Sequence, residues 1–265
     1  MELEGEVAIV TGGGRGFGKA IARGLAAAGA AVTVTARTTR QLDETVAEIT
    51  KAGGKAFAVA GDVTHRRDVL RVVSVAERHF GPATILVNNA GVAGPFGPLH
   101  VVDPDEWWDA QAVHLRGPLL YVNAVLGGMI ERRRGRIINV ASLGGTKVQP
   151  SLSAYCVGKA SMIRFTEHIA AEGAEHGIAA FAIEPGTVYT EMAESTINSP
   201  TAQRWLPEMV AILKEVRDRE DPAVGFARCA QRCVDLASGK YDALSGRYLT
   251  PEDDLQALLQ QARKE

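Results

Sequence analysis

Six short apolar runs, at 7–11, 31–35, 55–60, 84–88, 136–141 and 178–183, recur along the chain with longer segments of helical period between them. Runs that are apolar on both faces suit strands of a parallel sheet covered by helices on each side, and intervals of this length leave room for right-handed crossovers. A seventh strand is expected over 246–250, preceded by a helix over about 221–237 and followed after Pro251 by a short amphipathic helix. Asp103 before Pro104, Asp105 and Glu106 reads as an N-cap, a first-position proline and an acidic first turn, so a long helix starts there. The expected architecture is α/β: one doubly wound, seven-stranded parallel sheet flanked by helices on both faces.

With 265 residues, 46% of them apolar, the chain can bury a large core, and no linker or charge run divides it, so a single domain over 1–265 is expected. Lys and Arg number 29 against 31 Asp and Glu, with the signs interspersed, which leaves no basic stripe for nucleic acid or an anionic membrane. The longest uncharged apolar stretch, between Arg116 and Glu131, contains Asn123 and is too short to span a bilayer. No basic region followed by an apolar one opens the sequence, so a cytoplasmic protein is expected. Three cysteines make no disulfide framework. Cys229 and Cys233 read as small core residues, Cys156 as an unactivated thiol, and no metal site is expected.

Chemistry enters after the first strand, at Thr11-Gly12-Gly13-Gly14-Arg15-Gly16-Phe17-Gly18, which opens a helix whose unpaired N–H groups attract phosphate. Residues 13–19 also fit the spacing of a nucleoside triphosphatase loop, but Ala20 stands where that loop needs a hydroxyl for magnesium. Gly12, Gly16 and Gly18 fit a spacing variant of the dinucleotide loop. The second strand ends in Thr35-Ala36-Arg37-Thr38, without the carboxylate that would accept from the adenosine ribose of NAD. Arg37 offers a planar fork for a 2′-phosphate, with Arg15 placed to reach the same group, so NADP is favoured over NAD.

The ordered set formed by this loop, Asn88-Asn89-Ala90-Gly91, Ser142, Tyr155-x-x-x-Lys159 and Pro185-Gly186-x-Val188-x-Thr190 closely resembles the short-chain dehydrogenase/reductase family over almost the whole chain. The resemblance implies a Rossmann-type fold and an NADP(H)-dependent oxidoreductase that interconverts a carbonyl and a secondary alcohol. It further implies Ser142, Tyr155 and Lys159 as catalytic residues. Cofactor contacts would come from Gly12, Gly14, Arg15, Gly16, Phe17, Gly18 and Arg37, then Asp62 and Val63 near the adenine, and Asn89, Ala90 and Gly91 along the ribose. Tyr155, Lys159, Pro185, Gly186, Val188 and Thr190 would surround the nicotinamide. Tyr155 and Lys159, at i and i+4, share a helix face. A phenol titrates near 10, so it works near neutrality only if positive charge, here expected from Lys159 and the oxidised nicotinamide, stabilises its anion; at roughly 4 Å and an effective dielectric of about 20 one charge is worth about 4 kcal/mol, enough for a shift of about three pKa units.

The chief departure from the family pattern is His114, which stands where relatives usually carry an Asn that anchors a water of the proton relay. Pro118 has no N–H to give the His114 carbonyl, which leaves that acceptor free for water whatever the side chain; His114 replaces the Asn in the relay, contacts substrate, or is a structural residue with reduced function around it, and the first is preferred. Glu184, before Pro185, reads either as a pocket residue or as a loop carboxylate. A lid is expected over about 190–221, where Met192, Ile197, Trp205, Leu206, Pro207 and Met209 point to a hydrophobic substrate or to packing. The family implies a homotetramer or homodimer, to which Ala110, Leu119, Val122, Ala170 and Ala174 would contribute. A non-catalytic NADP-binding regulatory protein on the same fold is the alternative.

Overall fold

The six runs and the short seventh become strands whose side chains alternate between two helical layers. In the computed structural model, which describes residues 1–219 and 221–264, the strands are β1 (Val7–Thr11), β2 (Ala31–Ala36), β3 (Lys55–Ala60), β4 (Ile85–Asn88), β5 (Gly135–Val140), β6 (Ile178–Ile183) and β7 (Tyr248–Leu249). They form one parallel sheet in the order β3-β2-β1-β4-β5-β6-β7.

Ala8 and Val10 of β1 face one layer, in which Ile21 and Leu25 of α1 (Gly16–Ala27), Leu42 and Ile49 of α2 (Thr39–Lys51) and Cys229 and Cys233 of the later helix 222–237 are buried together. Ile9 faces the other, with Val69 and Val72 of α3 (Arg66–Phe80). The two cysteines are therefore core residues, as expected.

The helix expected from Pro104 is interrupted. It starts as α4 (Pro104–Gln111), with the Asp103 side chain accepting from the amides of Asp105 and Glu106. It then widens into a π-helical turn over Ala112–Arg116 before continuing as α5 (Gly117–Arg132). The cause is Pro118, whose ring would collide with the His114 carbonyl in an unbroken α-helix. Widening moves the Gly117 N–H to the carbonyl of Ala112 and resolves the clash.

After β5 come α6 (Ser153–Gly173), then, beyond β6, α7 (Glu191–Ile197), α8 (Pro200–Trp205) and α9 (Pro207–Arg219) in the region expected to be a lid. Residue 220, inside that expected segment, lies outside the described residues. α10 (Pro222–Ala237) and α11 (Leu255–Ala262) complete the chain's helices among the described residues. No described helix is long and apolar enough to cross a membrane.

β1 and β4 are neighbours although β2 and β3 intervene in sequence, so the chain leaves them in opposite directions. Doubly wound sheets bind ligands at the carboxyl ends of strands at such a point. The glycine loop follows β1 and residues 89–91 follow β4.

Candidate active site

The glycine loop is held by its own carbonyls and by the β4 loop. Gly12 (φ +64°) and Gly16 (φ +52°) occupy the left-handed region, and a Cβ on Gly18 would lie 2.1 Å from the Gly12 carbonyl oxygen. Asn89 donates through Nδ2 to the Thr11 carbonyl at 2.8 Å, while Thr11 Oγ1 accepts from the amides of Asn89 and Ala90. The Asn89 side chain thus ties the two loops together. Gly14 packs against α2, where a Cβ would come within 2.9 Å of Gln41 Cβ. Phe17 stacks edge-on against Phe226 of α10 at 5.2 Å, so its ring belongs to the helix contact and its backbone to the loop.

The residues present fit a dinucleotide phosphate. α1 starts at Arg15 without a side-chain cap and has no acidic residue in its first turn, leaving its positive end open to an anion. Arg15 is exposed and pairs with Glu191 at the start of α7. Arg37 is exposed at the end of β2, near enough for its charge to act on Asp62. Burial works against the Asp62 carboxylate, but hydrogen bonds from the Thr64 amide and hydroxyl outweigh it and hold the carboxyl below its usual range. Val63 is buried and stands against Gly117.

On the other side of the cleft, Ser142 lies two residues beyond β5 and accepts the Gly144 amide at 3.2 Å. Gly144 brings the backbone against the Tyr155 ring: a Cβ there would lie 3.2 Å from Tyr155 Cε1. Tyr155 and Lys159 project from the first two turns of α6, with Lys159 Nζ 5.7 Å from the Tyr155 ring centroid. Lys159 donates to the Val140 carbonyl at 2.7 Å, and burial lowers its pKa to about 8.

Among the chain's own groups, burial is the largest influence on the Tyr155 phenol and pushes its pKa up; a hydrogen bond with Ser142 pulls the other way, and Cys156 and the Glu184 carboxylate add to the rise. The Lys159 ammonium gives one of its N–H groups to the Val140 carbonyl and has further donors to offer on the Tyr155 side.

His114 is fully buried on the π-helical turn. Its Nε2 is 2.9 Å from the Val92 carbonyl and its Nδ1 has no protein partner. The ring stands edge-on to Tyr155 at 5.6 Å. Burial and then the charge of Lys159 drive its pKa down to about 3, the Val92 bond acting the other way, so it is neutral at ordinary pH. Gly91 completes the contact between β4, π turn and α6, since a Cβ on it would lie 3.2 Å from His114 Cε1 and 3.6 Å from Lys159 Nζ.

Pro185 and Gly186 (φ +87°) follow β6 and are half-buried. Val188 is buried against Gly225 of α10, and Thr190 caps α7 by accepting the Ala193 amide at 3.2 Å. Thr190 also lies close to the glycine loop, its Cγ2 3.8 Å from where a Gly16 Cβ would be. In the lid segment Ile197 and Leu206 are buried, while Trp205 is half-buried beside Gly97 and carries the Arg204 guanidinium over its ring.

Sequence reasoning passed over Tyr248, whose hydroxyl donates to Glu184 Oε2 at 3.1 Å, and Glu191, the partner of Arg15. The parallel register of β6 and β7 brings Tyr248 beside Ala182, on the face shared with Glu184, but a two-residue strand leaves almost no periodic signal.

Residues 6–200 match the short chain dehydrogenase family. A short chain dehydrogenase of Pseudocercospora fijiensis (strain CIRAD86) is 37% identical over 268 residues, spanning 100% of this chain and 85% of that protein. A variant of actinorhodin polyketide ketoreductase solved with NADPH superimposes with a TM-score of 0.83 at 30% identity, covering 94% of this chain and 96% of that one. A metagenomic short-chain oxidoreductase in complex with NADP gives 0.68 at 38% identity, covering 71% and 85%. The family match begins at the residue before β1 and takes in the glycine loop, Ser142, Tyr155 and Lys159. By sequence and by fold, this chain belongs to the short chain dehydrogenase family.

Proposed function

We propose that the protein is an NADP(H)-dependent oxidoreductase that interconverts a carbonyl and a secondary alcohol on a small, largely hydrophobic molecule. The convergence of Ser142, Tyr155 and Lys159 at the carboxyl end of β5 carries this reading. The single domain is read as one catalytic unit, with α7 to α9 as the cover over the substrate. Similarity to the NADPH-bound polyketide ketoreductase and the NADP-bound oxidoreductase supports the cofactor, alongside Arg15 and Arg37.

Residues Gly12, Gly14, Gly16 and Gly18 and the first turn of α1 hold the phosphates through backbone amides. Arg37 and Arg15 receive the 2′-phosphate, Asp62 and Val63 border the adenine, and Ala90 and Gly91 line the ribose side. Pro185, Gly186, Val188 and Thr190 flank the nicotinamide. The cofactor, when bound, supplies or accepts the hydride.

Ser142 donates to the substrate oxygen as negative charge builds there. Tyr155, kept protonated by its surroundings, gives its proton to that oxygen in the reductive direction. Lys159, whose low pKa keeps its proton mobile, replenishes Tyr155. The neutral His114, fixed through Nε2, leaves Nδ1 as the atom that holds the inner end of a proton path from Lys159. The exposed apolar side chains of Trp108, Leu115 and Leu119 on one continuous helical segment support a homo-oligomer.

The test is NADPH oxidation, followed by absorbance, across ketones and aldehydes with wild-type protein and Tyr155→Phe. Turnover that falls at least a thousandfold in the variant while NADPH still binds is the expected result. Equal rates in both proteins would remove Tyr155 from the chemistry.

A further inference from the structure

A carboxylate that the proposed reaction does not use stands near enough to Tyr155 for its charge to act on the phenol. Glu184 follows β6 directly, its amide donating to the Leu249 carbonyl at 2.8 Å, which fixes its backbone between the ends of β5 and β7. On the other side, the Ala141 amide donates to the Ile183 carbonyl at 2.8 Å, so the residues at the ends of β5 and β6 are strand neighbours.

Side-chain alternation sets the direction. Phe181 and Ile183 face the layer of α1 and α10, whereas Ala180 faces the layer of α6. Glu184, two and four residues from Ala182 and Ala180, takes the α6 side, the side from which Tyr155 and Lys159 come. Tyr248 pairs in register with Ala182, takes the same face, and clamps Glu184 Oε2 at 3.1 Å.

Glu184 is half-buried, and its charge is felt at the Tyr155 phenol. A carboxylate accepts several hydrogen bonds, and Tyr248 supplies one. Neighbouring strands lie about 4.8 Å apart. A ketone whose oxygen meets Ser142 and Tyr155 would thus have, one strand away and on the same side of the sheet, a carboxylate able to accept from a donor that it carries.

We propose that Glu184, oriented by Tyr248, is the specificity-determining residue of this site, selecting ketones that carry an ammonium or hydroxyl donor on the adjacent carbon and rejecting those in which the adjacent carbon is itself a carboxylate. This rests on the reductase reading above. Donors on the ligand meet a fixed, partly desolvated anion, whereas a ligand carboxylate meets like charge.

A matched set tests it: 2-aminoacetophenone with the amine on the side-chain carbon, 2-hydroxyacetophenone, propiophenone and benzoylformate, which differ only in the group beside the ketone. Wild-type protein with NADPH is expected to favour the amino and hydroxy ketones over propiophenone at least tenfold in kcat/KM and to discriminate against benzoylformate. Glu184→Gln should cut the amino-to-propiophenone ratio at least tenfold and narrow the gap to benzoylformate. Tyr248→Phe should move the same ratio in the same direction by less. Using ratios cancels any change that Glu184 makes to Tyr155 itself.

Turnover without discrimination, or a ratio that survives Glu184→Gln within twofold, overturns the proposal and leaves the reductase reading standing. If no ketone turns over, calorimetry of the same ligands on the NADP-loaded protein decides. Binding of the amino ketone that weakens at least tenfold in Glu184→Gln upholds the anionic subsite and sinks the reductase reading; binding that does not depend on Glu184, or no binding, overturns the subsite.

Discussion

Burial makes protonating His114 costly, and the charge of Lys159 beside it adds to the cost, which is why its pKa falls to about 3 from an ordinary 6.5. Between those values the unfolded chain binds a proton that the folded protein refuses. The contribution is thus complete above about pH 6.5 and declines as the pH drops towards 3. In His114→Asn this decline is removed: from pH 7.5 to pH 5, wild type should lose about 2 kcal/mol more stability than the variant in urea denaturation. Equal losses would mean that the imidazole is not shielded as described. Arg37 makes a separate prediction, since replacing a guanidinium fork by a carboxylate reverses the charge offered to the ribose. Arg37→Asp should raise the Kd for NADPH at least thirtyfold and leave NADH equal or tighter; unchanged values for both would refute the assignment. Tyr155 and Lys159 were legible as members of the ordered set that resembles the family, and their spacing added a shared helix face. The upward push of burial on the Tyr155 phenol was not legible, because the Gly144 backbone closes on its ring from another segment.

At the level of elements, strands were the clearest signal: 7–11, 55–60 and 178–183 match β1, β3 and β6 in both bounds, β2 and β4 differ by one residue at one end, β5 is shifted by one residue at both ends, and β7 is shorter than expected. Runs buried on both faces carry that information locally. The start of α4 was equally plain, since a cap is written in adjacent residues. The π-helical turn was not, although its cause was visible at Pro118; the pattern shows that one hydrogen bond is missing but not how the helix accommodates the loss. The glycine loop gives the sharpest prediction at this scale. A methyl on Gly18 would lie 2.1 Å from the Gly12 oxygen and 2.4 Å from Asn89 Nδ2, so Gly18→Ala must separate β1's loop from α1 or from the β4 loop. It should lower stability by about 1–3 kcal/mol and abolish NADPH binding in fluorescence titration. Wild-type affinity in that variant would mean that the loop tolerates what its geometry forbids.

Across the molecule, a buried polar chain crosses the apolar layers: Asn88 Nδ2 donates to Asn139 Oδ1, Asn139 Nδ2 to Thr166 Oγ1, and Thr166 to the Met162 carbonyl, each at 2.8 Å. It joins β4 and β5, which lead directly into Asn89 and Ser142, to α6, which carries Tyr155. Thr166→Val keeps the shape but leaves the Asn139 amide unpaired, so stability should fall by about 1–3 kcal/mol in chemical denaturation, with a matching loss at any temperature where the protein is marginal. No loss would mean that another group pairs with Asn139. Of the residues expected at an oligomer surface, Ala110, Val122 and Ala170 are buried within the chain, while Leu119 and Ala174 are exposed. The sequence pattern could not separate the two, since small apolar residues serve either purpose. The cleft itself arises from connectivity: β1 and β4 hand the chain to opposite sides, and the crevice opens whatever residues line it. Scaffold and preference are therefore separable inheritances, so α7 to α9, Glu184 and Tyr248 are free to be rewritten for a new molecule while the frame that aligns the reacting atoms is left alone.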